Sequence, residues 1–322
     1  MTRAAVHSPD MGSRSAWSVR SISIQKLGGP LIAIIFLGCF LTLPWSVQHY
    51  DQQNLDAVYQ PPSAQYLLGT DALGRSVLWR CLLGGAISLS IGLAAATLAV
   101  GIGTAWGMCS GYFGGRLDSF MMRFVDVMYC LPYILLVVLL SVALQPLMVD
   151  LLSADQSGGS AASEPDAVLL SPASIANVLT LLIAISAVSW LTMARVIRGQ
   201  VLSMRSQAFM EAGRALGLPT WRLMLRHMLP NLIGPIVVYA TLAVPQAILQ
   251  ESFLSFLGIG IRPPLPSWGT MASDGLAHIN LIQPRYWLIL WPCLLLGLTL
   301  LALNFLGDSL RDRYDPHTQR SA

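Results

Sequence analysis

Few residues in this chain could do chemistry, and those few are placed for binding and force rather than for bond making. Glu211 and Arg214 stand three apart in the stretch 198–230, RGQVLSMRSQAFMEAGRALGLPTWRLMLRHMLP, where a helix would set opposite charges within pairing reach. Glu251, with Gln246 and Gln250, lies in an apolar run, and an ionisable residue at membrane depth is costly enough to be a pathway or gate candidate. Snorkelling of Glu251 to the outer interface accounts for the same pattern. ATP chemistry is excluded from the chain itself. A phosphate-binding loop needs Gly-x-x-x-x-Gly-Lys-Ser/Thr, and Lys26, the sole lysine, is followed by Leu27. No Gly-x-Ser-x-Gly elbow or His-Glu-x-x-His helix occurs either. The histidines scatter over loops and termini, and Cys39, Cys81, Cys109, Cys130 and Cys293 lie in or beside apolar runs without a Cys-x-x-Cys pair. No catalytic residue, metal site, disulfide framework or cofactor is expected.

Such residues need a frame, and composition says which solvent it faces. Of 322 residues, 54% are hydrophobic and 11% charged, with a mean hydropathy of +0.61. Soluble domains carry about 25% charged residues, so this chain cannot coat a soluble globule. Six apolar stretches, near 30–47, 82–108, 127–148, 175–197, 232–257 and 286–306, each reach the roughly 20 residues needed to cross hydrocarbon as a helix. The fold class is therefore an all-α membrane protein with six transmembrane helices. Its parts are an N-terminal tail 1–29, an anchor helix 30–48, a loop 49–81, a five-helix core 82–306 containing a second loop at 149–174 and the polar segment 198–230, and a tail 307–322. The anchor follows a basic leader but is not followed by a small-x-small cleavage site, so it is expected to persist.

Charge sets the orientation. Arg3, Arg14, Arg20, Lys26, Arg116, Arg123, Arg195, Arg198, Arg205, Arg214, Arg222, Arg226, Arg311, Arg313 and Arg320 fall on one side of these spans; only Arg75, Arg80, Arg262 and Arg285 fall on the other. The positive-inside rule puts both termini and 198–230 in the cytoplasm. It leaves the loops at 49–81 and 149–174 outside. The net charge of +3 gives no reason to expect nucleic acid as a partner.

The segment 198–230 is too polar to span and too patterned to be a simple linker. Phe209, Ala212 and Leu216 share one face of a short helix, with Glu211 and Arg214 opposite. Gly217 suits the left-handed position after that helix, Pro219 can begin a second one, and Pro230 is expected to end it. The outcome is a helical elbow that either fits a partner's groove as a knob or lies on the membrane surface as a tether. Pro235 and Pro245 are expected to interrupt the fifth span, which then lines a cavity or an interface. Pro263, Pro264 and Pro266 rule out a regular helix beyond it, and that stiff segment would cap the pathway externally. Gly103, Gly107 and Gly111 recur every fourth residue, a stripe that admits close approach of a neighbouring helix.

Glu211-Ala212-Gly213, followed by Gly217 and Leu229-Pro230, resembles the coupling segment of ABC importer permeases, with Gly213 in place of a second alanine. Gly69-Thr70-Asp71 with Gly74-Arg75 is similar to the external motif of C-type subunits in the dipeptide/oligopeptide branch, Ser76 replacing an aspartate often found there. Gly111-Tyr112-Phe113-Gly114-Gly115 through Asp118 and Asp126, Ser255-Phe256-Leu257-Gly258, Pro264 to Gly269, and Gly307-Asp308 with Asp315-Pro316 extend the likeness along the chain. The resemblance implies a type I ABC importer permease in the inner membrane. It also implies a second homologous permease, two cytoplasmic ATPases docking on Glu211, Ala212, Gly213, Arg214, Gly217 and Pro230, an external solute-binding protein, and peptide cargo. Relatives of this class also carry nickel chelates, glutathione or antimicrobial peptides. Two rivals are a self-sufficient secondary transporter or channel, which would show inverted repeats and several intramembrane charges, and a membrane enzyme, which would need a facing nucleophile and base.

Overall fold

The computed structural model describes residues 28–153, 171–279 and 284–314. Most of the tail 1–29, most of the loop 149–174 and the end of the tail 307–322 lie outside the described residues. The helices are α1 (Gly28–Leu41), α2 (Leu43–His49), α3 (Val77–Phe113), α4 (Gly115–Cys130), α5 (Tyr133–Ser153), α6 (Pro172–Arg205), α7 (Ala208–Ala215), α8 (Thr220–Phe256), α9 (Trp268–Ala277) and α10 (Trp287–Tyr314). Among the described residues there is no strand, only an isolated bridge between Thr70 and Ser76.

Among the described residues five helices, α3, α5, α6, α8 and α10, are long and apolar enough to span, and α1 with α2, bent by 54°, makes a sixth when the pair is counted as one broken span. Six spans match the apolar runs, with two differences. The third begins at Tyr133 and not near residue 127, because Leu131 is extended before Pro132, as the residue preceding a proline must be. The amphipathic α4 precedes it as a separate helix. The fifth is a single helix of 37 residues from Thr220 to Phe256, so neither Pro235 nor Pro245 breaks it and Pro230 does not end the elbow. Proline lacks an N–H and crowds the carbonyl four residues back. A π-helical stretch at Leu223–Met228 precedes Pro230, and the widened turn accommodates that defect while Asn231 Nδ2 donates to the His227 carbonyl at 2.7 Å.

The centre of the fold is the pairing of α3 with α6. A Cβ added at Gly103 would meet Met193 at 2.6 Å, one at Gly107 the Ala194 carbonyl oxygen at 2.5 Å, and one at Gly111 Val201 at 2.7 Å. The glycine stripe therefore serves packing within the chain. Small residues extend the seam, with Ala95, Ala96 and Ala99 of α3 buried in one apolar cluster with Leu181, Ala184, Ile185 and Val188 of α6. On another side of α3, Gly84 faces Ser267, Gly85 faces the Trp268 ring and Gly92 faces Ile248, which brings α8 and α9 onto it.

Candidate functional site at the helical elbow

The elbow begins where α6 stops. Gln207 is extended and caps α7, whose eight residues end in a tight reversal at Gly217, where φ is +71°. There the Gly217 N–H donates to the Arg214 carbonyl at 2.9 Å and the Leu218 N–H to the Gly213 carbonyl at 3.1 Å, closing the helix as a Schellman turn. Only glycine takes that positive φ without steric cost, so the left-handed conformation expected at Gly217 is present. Pro219 then caps the start of α8.

Packing decides which side of α7 is free. Met210 and Gly213 are buried, and a Cβ on Gly213 would meet Leu223 Cδ2 at 2.5 Å. Glycine at 213 thus brings α7 down onto the first turns of α8. Beneath it, Met204, Met210, Leu223, Met228 and Leu232 form one cluster with Met108, Met193, Ile197 and Val201, joining the elbow to α3, α6 and α8. The line Phe209, Ala212 and Leu216 faces outward, with Leu216 80% exposed; Trp221 and Leu225 stand exposed on the following turns. Glu211 and Arg214 are exposed beside them. They do not pair as the spacing allows; the Arg214 guanidinium lies 5.6 Å from the Tyr112 ring centroid. An exposed apolar patch rimmed by charge is the usual mark of a binding surface.

Behind the elbow, Asp118 of α4 accepts two hydrogen bonds from Arg198 of α6, from Nε at 2.5 Å and Nη2 at 2.6 Å, and a short one from Ser110 of α3. Those bonds from Arg198 outweigh burial and hold the Asp118 carboxyl below the usual carboxylate range. Arg195 reaches Asp126 at 2.6 Å and stacks over Tyr129 at 4.0 Å. Sequence spacing gives no sign of this clamp, because its partners lie 80 residues apart and Arg198 reads there only as a loop charge.

The pathway candidates do not share an environment. Gln246 is exposed, Gln250 accepts from the Tyr133 hydroxyl and from Ser189 Oγ at 3.3 Å, and Glu251 is fully buried. Glu251 receives Ser255 Oγ at 2.8 Å and Ser252 Oγ at 3.2 Å, with Ser88 and Ser267 close by. Its carboxyl is buried and held by serines of its own helix instead of snorkelling. Ser255 Oγ also accepts from the Ile261 N–H at 3.0 Å, which fixes the start of the proline-rich segment.

At the far end of α3 the second motif is tied to itself. Thr70 is buried, its hydroxyl donates to the Ala57 carbonyl and accepts from the Gln60 N–H at 2.7 Å, and the Trp287 indole donates to its carbonyl at 3.2 Å. Gly69 and Gly74 have φ of +83° and +70°. Asp71 accepts from the Leu73 and Arg75 amides, both at 2.9 Å, from Arg75 Nε at 2.8 Å, and from Arg80. Burial alone would raise its carboxyl, but Arg80, Arg75 and the two amides together hold it below the usual range. Nothing in the local sequence marks Arg80 as a partner of Asp71. Ser76 precedes α3 without a side-chain capping bond.

Residues 99–320 match the family described as binding-protein-dependent transport system inner membrane component. Among relatives, the dipeptide transport system permease protein DppC of Bacillus subtilis is 39% identical over 292 residues, 90% of this chain and 79% of that protein. The oligopeptide transport system permease proteins OppC of Haemophilus influenzae and Escherichia coli K12 are each 39% identical over 290 residues, 89% of this chain and 83% and 85% of theirs. The all-α arrangement with its short helix between the fourth and fifth spans is the type I ABC importer permease fold. With the fold, the elbow and the relatives in agreement, the chain belongs to the family of inner membrane components of binding-protein-dependent transport systems.

Proposed function

We propose that this chain forms half of the translocation route of an ATP-driven importer of dipeptides or oligopeptides, beside a second homologous permease. ATP hydrolysis falls to two partner ATPases that grip α7, and an external solute-binding protein delivers the cargo. The observation that carries this reading is the elbow, a short rigid helix presenting Phe209, Ala212, Leu216, Glu211 and Arg214 outward while Met210 and Gly213 root it in the cluster shared by three long helices. The names of the relatives, dipeptide and oligopeptide permeases, supply the cargo class. Gln246 and Gln250 are the side chains proposed to meet the route.

Coupling is tested at the surface and at the turn. Glu211→Lys sets a like charge beside Arg214, worth only about 0.2–0.5 kcal/mol within a helix, so folding survives. Reversing a charged contact at an interface costs about 2–5 kcal/mol, which loosens the ATPase. Gly217→Val forces a β-branched residue to φ +71° and deforms the same surface. Both variants are expected at near-normal membrane levels with transport and substrate-stimulated ATP hydrolysis lost in the reconstituted complex. Wild-type transport by Glu211→Lys would reduce the elbow to a tether.

Orientation follows the arginine distribution, with both termini and α7 proposed in the cytoplasm. A reporter inserted after Gly217 should report the cytoplasm and one after Ser63 the exterior. The reverse pair of signals would invert the assignment.

A further inference from the structure

Uncharged polar side chains gather at one depth of the helix bundle. Ser189 stands halfway along the 34 residues of α6, so it lies within the hydrocarbon layer wherever the ends of that span are set. Gln250 Oε1 meets Ser189 there and accepts a hydrogen bond from the Tyr133 hydroxyl. Tyr133 is the first residue of α5, and Leu131 shortly before it is extended and 50% exposed, so the chain interrupts its helix at this depth with one side uncovered. Non-helical backbone inside a bilayer is tolerated only where protein buries it or a water-filled cavity wets it. Around the interruption stand Tyr129, hydrogen-bonded to Thr192 at 2.6 Å, and Gln246, exposed one turn before Gln250 on α8.

The two carboxamides have donors to spare. With Gln250 Oε1 occupied by the Tyr133 hydroxyl, the Nε2 hydrogens turn the other way and meet no acceptor among the described residues. Gln246 likewise makes no side-chain hydrogen bond among them. An amide N–H at this depth is costly unless a carbonyl or water receives it. Charge is kept away from both. Glu251 is fully buried and held by Ser252 and Ser255, and Arg195 is closed on Asp126 at 2.6 Å. The spacing also selects a guest. Side chains four apart on a helix stand about 5–6 Å apart at Cβ, and carbonyls on one edge of an extended peptide recur about every 6.6 Å.

We infer that Gln246 and Gln250 donate hydrogen bonds to same-edge carbonyls of an extended peptide in transit, with Tyr133 as the positioning residue that aims the Gln250 carboxamide. The inference rests on the transport reading and deepens it, since it assigns these side chains to the main chain of the cargo. Such contacts replace the water that peptide groups shed at this depth, which lowers the barrier to entry whatever side chains the cargo carries.

The test uses the complete importer with its solute-binding protein in proteoliposomes. The probe is tetraalanine, and its counterpart is the same molecule with every peptide link replaced by an ester, whose carbonyl is the weaker acceptor. The preference of the solute-binding protein is the same for every variant and cancels when uptake ratios are compared. Wild-type uptake should favour the amide. Gln246→Ala and Gln250→Ala should each lower the amide-to-ester uptake ratio about fivefold, the worth of one neutral hydrogen bond, and Tyr133→Phe, which keeps the ring and removes the tether, about threefold. Gln246 is exposed and unpaired among the described residues, so Gln246→Ala should fold like wild type and keeps the test open if Gln250→Ala does not. A role in packing alone slows both cargoes equally. An unchanged ratio in either glutamine variant therefore overturns the inference, while wild-type uptake of tetraalanine still upholds the transport reading. A wild type that imports neither cargo sinks that reading and the inference with it.

Discussion

Replacing Gly107 with leucine should abolish recovery of folded protein. The atoms that a Cβ at 107 would strike are the Ala194 carbonyl oxygen at 2.5 Å and the Arg198 amide nitrogen at 2.9 Å, both main chain inside a helix, so no side-chain rotation relieves the contact. The two helices must separate, and separation opens the seam that buries Ala95, Ala99, Leu181 and Ile185. Overpacking that a core can absorb costs about 1–3 kcal/mol, and a clash against immovable backbone exceeds it, passing the roughly 4 kcal/mol beyond which single substitutions become exceptional. Gly101, two residues before the stripe, has nothing within 4 Å of its would-be Cβ, so Gly101→Ala should match or slightly exceed wild type through helix propensity worth up to about 1 kcal/mol. The measurement is the monodisperse fraction eluting from a size-exclusion column after detergent extraction. Equal recovery of the two variants would show that the seam is not the fold's keystone.

Arg198→Met should produce the second largest loss and should do so asymmetrically. Methionine leaves the Asp118 carboxylate with Ser110 as its remaining side-chain partner, in a site where the aspartate is 13% exposed. Breaking a buried pair from one side costs about 3–5 kcal/mol; Arg198 keeps 34% of its side chain exposed, so about 2–4 kcal/mol is expected. Asp118→Asn should cost less, because the stranded arginine can turn toward water while a stranded aspartate cannot. The pH dependence follows from the lowered Asp118 carboxyl. A carboxylate whose folded pKa is depressed contributes stability above its unfolded value, near 3.9, and loses it as pH falls through the lower folded value. The gap between wild type and Arg198→Met should therefore be full at pH 7 and close only in strong acid, as read by thermal unfolding in detergent. A gap that stays constant to pH 2 would assign the loss to packing and not to the ion pair.

What the sequence reveals and what it hides divide along physical lines. Span number, the Gly217 turn and the Gly103, Gly107 and Gly111 stripe are all local patterns, and each is present in the structure. Proline is not a full stop in this chain. At Pro230 a π-helical turn absorbs the missing donor, and Pro235 and Pro245 sit within one continuous helix. The outward direction of Phe209 and Leu216 is not local information. It depends on Leu223 filling the space that Gly213 leaves open, a contact made only once the chain has folded back. The Asp118–Arg198 clamp and the Asp71–Arg80 pair are tertiary in the same sense, since charge counting gives the sign of a loop but not its partner.

The length of α3 exceeds what a single span needs. Its 37 residues make a rod about 55 Å long, whereas the hydrocarbon layer is about 30 Å thick. With the outer bilayer face set at the start of α3, as the proposed orientation has it, the surplus of about 25 Å would emerge at the elbow end, and the glycine stripe that packs α3 on α6 lies in that same final third. A rod pivoting near the bilayer midplane then has a long arm toward the elbow, about 40 Å, and a short arm of about 15 Å toward the other face. Under the proposed coupling, displacement applied at the elbow would reach the opposite end reduced between two- and threefold by the ratio of those arms, with force multiplied by the same ratio. With the coupling proposed above, a rod of these proportions would trade a wide, weak stroke at the elbow for a narrow, strong one at the other end.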